Sequence, residues 1–104
     1  EVTPILGQTE GGAKTTLRSP RVLPEVVIYD PELTLGLPVG MSVTSGLNAI
    51  AHAAEGLYAE DRNPITSMMA AEGMRALKEA RPVIVASPHD AEARAKALYG
   101  AWLC

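Results

Sequence analysis

"EVVIYDPELTLGLPVGMSV", residues 25–43, passes through three kinds of chain in quick succession. It opens on Val26, Val27, Ile28 and Tyr29, an unbroken and mostly β-branched apolar run closed by Asp30-Pro31. Such a run predicts a strand buried on both faces, as in a parallel sheet. "PELTLGLP" follows, with Gly36 and a proline at each end, and predicts a loop. Beyond Pro38 the composition turns to alanine, methionine and leucine, and strand signals nearly vanish. A boundary is therefore expected at 37/38. Residues 1–37 would end an α/β part, and residues 38–104 would begin an all-α one.

Toward the N-terminus, "VTPIL" and "AKTTL" flank the turn-rich "GQTEGG" and predict a β-hairpin. "RSPRVLP" carries two prolines and is not expected to form regular structure. Toward the C-terminus the pattern predicts a helical region over 39–58, with Gly46 as its candidate break. Asn63-Pro64 is a helix start, Asn63 capping and Pro64 taking the first position. Ile65, Met68, Met69, Met74 and Leu77 fall close to a helical stripe and read as core, since methionine fills irregular gaps. "RPVIVAS" is open between a helix continuing past Pro82 and a short strand. Ser87, Pro88, Asp90 and Glu92 predict the start of a last helix, with Ser87 as cap and Ala91, Ala95, Leu98 and Trp102 as its buried stripe.

The 104 residues are 47% apolar and 20% charged, a soluble globular composition. A net charge of −3 with scattered basic residues does not suit a polyphosphate partner, so no nucleic acid is expected. No apolar run approaches the roughly 20 residues of a membrane helix. The first residues, "EVTPILGQTEGG", are not a signal peptide. Cys104 is the only cysteine and cannot form an internal disulfide, which suits a reducing cytoplasm. The chain opens without methionine and stops at the apolar "ALYGAWLC", so a segment of a longer protein is expected.

Chemistry concentrates in "SGLNAIAHAAE", residues 45–55. Spacings of four and three place Asn48, His52 and Glu55 on one helix face. Three readings stand: a metal site, a metal-free catalytic wall, or the polar edge of an ordinary helix. An amide is a weak neutral ligand, and the only other histidine, His89, lies near a helix start without an evident partner, so no metal is expected. Glu55 either orients His52 or is simply solvated. The residues alone reach no further than a soluble α-rich segment attached to an α/β layer.

"PEVVIYDPELTLGLPVGMSVTSGLNAIAHAAEGLYA" resembles the middle of the iron-containing alcohol dehydrogenase superfamily. In its metal-binding members the same helix carries an aspartate and, four residues on, a histidine, and both bind the metal. This chain keeps His52 but has Asn48 in the aspartate's place, a departure characteristic of the metal-free maleylacetate reductase branch. "TPILGQTEGGAKTT" and "PHDAEARAKALYGAWLC" are similar to that branch too. The resemblance implies that residues 1–37 close a dinucleotide-binding α/β domain, with the hairpin and one buried strand, and that residues 38–104 open a helical substrate domain.

It further implies reduction of maleylacetate to 3-oxoadipate by NADH or NADPH, in aromatic-compound breakdown. A dicarboxylate would be the substrate, a homodimer the assembly of the parent, and the cytoplasm its place. His52 and Asn48 would be the catalytic residues. Lys14 matches a family lysine near the cofactor, Leu33 and Leu37 match apolar residues near the nicotinamide end, and Thr3 follows a cofactor-binding segment. The family's glycine-rich pyrophosphate loop has no counterpart here, so the chain alone is expected to be inactive. Two alternatives are a metal-dependent alcohol dehydrogenase that tolerates Asn48, and a non-catalytic fragment assembling through its apolar end.

Overall fold

The computed structural model describes residues 3–104. The hairpin forms as the sequence predicts: β1 (Ile5–Glu10) and β2 (Ala13–Arg18) pair antiparallel, with Glu10 opposite Ala13. The two-residue turn places Gly11 at φ 57° and Gly12 at φ 82°. Positive φ at both central residues matches the twist of the flanking strands, and glycine adopts it without a steric penalty. Every residue of both strands is exposed, so neither face of the hairpin is covered.

Residues 19–38 run on with two 3-10 turns, Pro20–Val22 capped by Ser19 and Pro31–Thr34 capped by Asp30. The first of these lies inside "RSPRVLP", where no regular structure was expected. The buried strand expected at 25–30 does not form. The segment has no regular structure, and Val26 and Ile28 are 79% and 84% exposed. A strand exists through hydrogen bonds to a neighbour, and the only sheet among the described residues is the hairpin itself.

Three helices then follow: α1 (Val39–Tyr58), α2 (Pro64–Ala86) and α3 (Ala91–Leu103). The expected bounds of α1 are met, and Gly46 does not break it. That glycine is buried where Arg81 of α2 crosses: a Cβ there would sit 3.0 Å from Arg81 Cδ. Asn63 caps α2 as read, its side chain accepting from the Ile65 and Thr66 amides while the Thr66 hydroxyl accepts from the Asn63 amide. The open reading of "RPVIVAS" resolves as helix, which continues through Pro82 to Ala86.

α3 departs from expectation in two ways. Its cap is Asp90, whose carboxylate accepts from the Ala93 amide at 2.8 Å, while Ser87 instead ends α2. Its buried residues are Ala93, Arg94 and Gly100 rather than the predicted stripe, and Ala91 and Trp102 are exposed. The reason is the close meeting of α2 and α3. A Cβ on Gly100 would lie 2.8 Å from Leu77 Cγ and 3.0 Å from the Gly73 carbonyl, so glycine sets the contact line.

α2 is the central helix and packs against both of the others. The core is built mostly of small residues, Ala53, Ala70, Ala76, Ala80 and Ala93, together with Leu77 and Ile84. Small side chains let helix backbones approach, and burying Leu77 alone stabilises by about 2 kcal/mol. Of the predicted α2 stripe only Leu77 is buried; Ile65 and Met68 are exposed, and Met69 and Met74 are half-buried. No helix among the described residues is long and apolar enough to cross a membrane.

Candidate functional site

One cavity of about 510 Å³ lies between the three helices and the loop that leads into α1. Asn48, Ser45 and Gly46 line it from α1, Leu37 from the loop, Arg81 from α2 and Arg94 from α3. His52, one turn beyond Asn48, is not among the lining residues. It is exposed, with Nδ1 3.9 Å from Glu55 Oε2. That distance exceeds a hydrogen bond, so Glu55 does not fix the ring orientation directly.

The other sequence candidates are scattered. Leu33 is 83% exposed on the second 3-10 turn, outside the cavity. Lys14 stands on β2, its Cε 3.8 Å from where a Cβ of Gly7 would lie, and Thr3 is half-buried ahead of β1. The structure therefore brings Asn48 and Leu37 to one cavity, with His52 on the same helix, and leaves Leu33, Lys14 and Thr3 apart from it.

Sequence reasoning missed the two arginines. Arg94 is 2% exposed, and four hydrogen bonds hold its guanidinium. Nε donates to the Pro88 carbonyl at 2.7 Å, Nη1 to the Thr34 carbonyl at 2.5 Å and to Ser42 Oγ at 3.3 Å, and Nη2 to the Leu37 carbonyl at 3.2 Å. A buried cation with no carboxylate is thus answered by carbonyl dipoles, and it ties the loop to α1 and α3. Asp90, four residues before Arg94, suggests an ion pair by spacing, but its carboxylate serves as the cap.

Arg81 differs. Its Nε is buried and finds no acceptor, and it enters no ion pair among the described residues. A signal for it was present: no acid lies three or four residues from Arg81 on its helix. Arg75, by contrast, has Glu72 and Glu79 at those spacings and bonds both, with Nε and Nη2 on Glu72 at 2.7 and 2.6 Å and Nη1 on Glu79 at 2.6 Å. Lys96 of α3 donates to the other oxygen of Glu79. Arg75 holds Glu72 below the usual carboxylate range, and Lys96, then Arg75, do the same for Glu79. This network is a surface clasp between α2 and α3, away from the cavity.

As a metal centre the described donors are incomplete: no three His, Cys, Asp or Glu side chains converge among the described residues. An amide and one imidazole do not make the ligand set of a divalent ion.

Residues 42–104, from within α1 to the end of α3, match the profile described as the Fe-containing alcohol dehydrogenase family, C-terminal. The chain belongs to the iron-containing alcohol dehydrogenase family. Over all 104 residues it is 74% identical to a maleylacetate reductase of Rhizobium sp. strain MTP-10005, of which it spans 30%. The crystal structure of maleylacetate reductase from Agrobacterium tumefaciens superposes with a TM-score of 0.84 at 74% identity, covering 100% of this chain and 30% of that one. A less similar structure, sulfoacetaldehyde reductase from Bifidobacterium kashiwanohense solved in complex with NAD+, gives a TM-score of 0.83 at 31% identity, covering 99% of this chain and 28% of that one. The fold of this chain is thus shared with relatives of different printed activity.

Proposed function

We propose that this chain is part of a maleylacetate reductase, a metal-independent enzyme that reduces maleylacetate to 3-oxoadipate with NADH or NADPH. The supporting observation is the 74% identity to such an enzyme along the whole chain, joined to an amide, Asn48, at the wall of the helical cavity. In this reading residues 1–37 end the dinucleotide-binding domain, and residues 38–104 begin the substrate domain. The parent is a cytoplasmic homodimer.

The bound nicotinamide supplies a hydride to the carbon–carbon double bond conjugated to the ketone. Negative charge then gathers on the ketone oxygen as an enolate, and hydrogen-bond donors aimed at that oxygen lower the barrier. Asn48 offers an amide N–H at the cavity, and His52, one turn on, offers an imidazole N–H. An aspartate at 48 would bring the anion that a divalent ion needs; the amide keeps the size of that side chain but not its charge. Leu37 would give the planar nicotinamide an apolar wall at the cavity, and Leu33, on the preceding 3-10 turn and outside the cavity, would add to it from the exposed side. Lys14 and Thr3 contribute to the cofactor from the hairpin side. The chain by itself is inactive, since it holds no glycine-rich loop for the cofactor phosphates.

The test is an assay of the full-length protein. Maleylacetate-dependent oxidation of NADH or NADPH is expected, with the same rate before and after dialysis against a chelator. Asn48→Asp is expected to raise bound divalent metal, and equal metal content in the two proteins would count against the charge argument. A wild-type rate abolished by chelation would instead favour a metal-dependent alcohol dehydrogenase.

A further inference from the structure

The cavity contains two guanidinium groups in opposite states. Arg94 has a partner on every nitrogen and is sealed in the fold. Arg81 lines the same space with a buried Nε that meets no acceptor, and no carboxylate among the described residues pairs with it. Buried polar groups in folded proteins are satisfied, and one that is not calls for a partner supplied from elsewhere. A guanidinium fork is the donor best matched to a planar, two-oxygen acceptor.

The packing holds the group there. Gly46 lets the Arg81 stem cross α1 closely, with Cδ 3.0 Å from the place of a Cβ, and Leu77 lies on the same spot at 3.7 Å. Its stem held against Gly46, Arg81 lines the cavity together with Ser45 and Asn48. Ser45 adds a hydroxyl and Asn48 an amide, each able to donate to a carboxylate oxygen or to a neighbouring ketone.

We propose that Arg81 is a specificity-determining residue that binds one carboxylate of a small dicarboxylic acid in this cavity. The identity of that acid rests on the maleylacetate reading; the chemical class, a carboxylate, rests on the unpartnered guanidinium. With one carboxylate on Arg81, the remaining carbons of the acid extend along α1 past Asn48.

The experiment uses the full-length protein with succinate as a probe dicarboxylate. Its dissociation constant is measured by calorimetry for wild type, Arg81→Met and Arg81→Lys. The methionine keeps the apolar stem without the charge, and the lysine keeps the charge without the fork. Arg81→Met is expected to weaken succinate binding about 10- to 100-fold, and Arg81→Lys to recover part of it, since a charge-assisted bidentate contact is lost and then half restored. The NADH dissociation constant and the melting temperature should stay at wild-type values in both.

Unchanged succinate binding in Arg81→Met overturns the proposal, and so does an equal loss of NADH affinity and of melting temperature, the mark of a merely structural role. Should Arg81→Met not fold, Arg81→Lys decides alone: a binding loss of about tenfold supports the proposal, and wild-type binding overturns it. The two readings can fail separately. A protein that does not reduce maleylacetate but loses succinate on Arg81→Met keeps this inference and drops the substrate, whereas an unchanged KM for maleylacetate in Arg81→Met does the reverse.

Discussion

Ile84 is 3% exposed and Ile28 is 84% exposed, although each sits in a short run of β-branched apolar residues. "PVIVA" belongs to a helix that satisfies its own backbone, so burial needs only a neighbouring surface, which α3 supplies. "EVVIYD" is extended, and an extended backbone must find its hydrogen bonds on another strand before its side chains can be buried. No strand among the described residues pairs with it. The comparison teaches that the helical layer contains its own partners, while the segment ahead of it depends on what lies beside it. The resemblance to a family in which this chain covers 30% of a relative is consistent with partners located in the remainder.

Arg94 is where the two regions are joined, and removing it should have the largest effect. Arg94→Leu keeps the apolar volume but strips the Leu37 and Pro88 carbonyls of the Arg94 donor and leaves the Thr34 carbonyl with the Leu37 amide alone. Leaving these part-buried acceptors short of a donor is expected to cost about 3 kcal/mol in denaturant unfolding. The loss should also be local. The Leu35 and Leu37 amides, bonded to the Glu32 and Thr34 carbonyls, should exchange hydrogen faster, while Leu77 in α2 keeps its protection. Equal acceleration at Leu37 and Leu77 would mean that the loop and the helices form one cooperative unit, and the contrast between them would be broken.

A smaller effect is expected inside the helical layer. Alanine normally stabilises a helix over glycine by up to about 1 kcal/mol. Gly100→Ala should do the reverse, by about 2 kcal/mol, because the new methyl meets the Gly73 carbonyl at 3.0 Å and the Leu77 amide nitrogen at 3.1 Å, and backbone has to move. Gly56→Ala, with nothing within 4 Å of its Cβ, should show the ordinary gain. Thermal unfolding of the pair checks this. Stabilisation by both would show that α2 and α3 are not in backbone contact at Gly100.

Much of the helical layer was legible because its signals are local. Asn63-Pro64 is a start signal on sight, and Pro38 marks the position before α1. Gly11-Gly12 likewise announces a turn that needs positive φ. What failed was whatever depended on a second element. The burial of 25–30 required a strand elsewhere; the stripe of α3 was misplaced because Gly73 and Gly100 bring two backbones together and rotate the contact onto Ala93 and Arg94. Ser87 and Asp90 are both competent caps, and their order along the chain does not say which one the helix uses. In the site, spacing found Asn48 and His52 on one face of α1. Neither Arg81 nor Arg94 was singled out from the sequence, yet no acid lies three or four residues from Arg81, and that lack was visible there.

The smallest expected effect concerns pH and separates the two regions once more, since the clasp of Glu72, Arg75, Glu79 and Lys96 joins only α2 and α3. Lys96 and Arg75 lower the pKa of Glu79, and Arg75 lowers that of Glu72, so the folded chain releases these protons more readily than the unfolded one. The stability this contributes is therefore complete above the ordinary carboxylate range and is lost as pH falls through the depressed folded values. All four groups are exposed or nearly so, and solvent screening keeps the contribution well below that of the two changes above. Glu79→Gln removes the titrating group shared by Arg75 and Lys96. Its denaturation midpoint should lie slightly below wild type at pH 7 and converge with it near pH 3, and amide exchange at Leu37 should be the same in both proteins. Midpoints that stay parallel across that range would show that the clasp adds nothing to the packing of α2 on α3, leaving the glycine contact and the small core to hold the helices together.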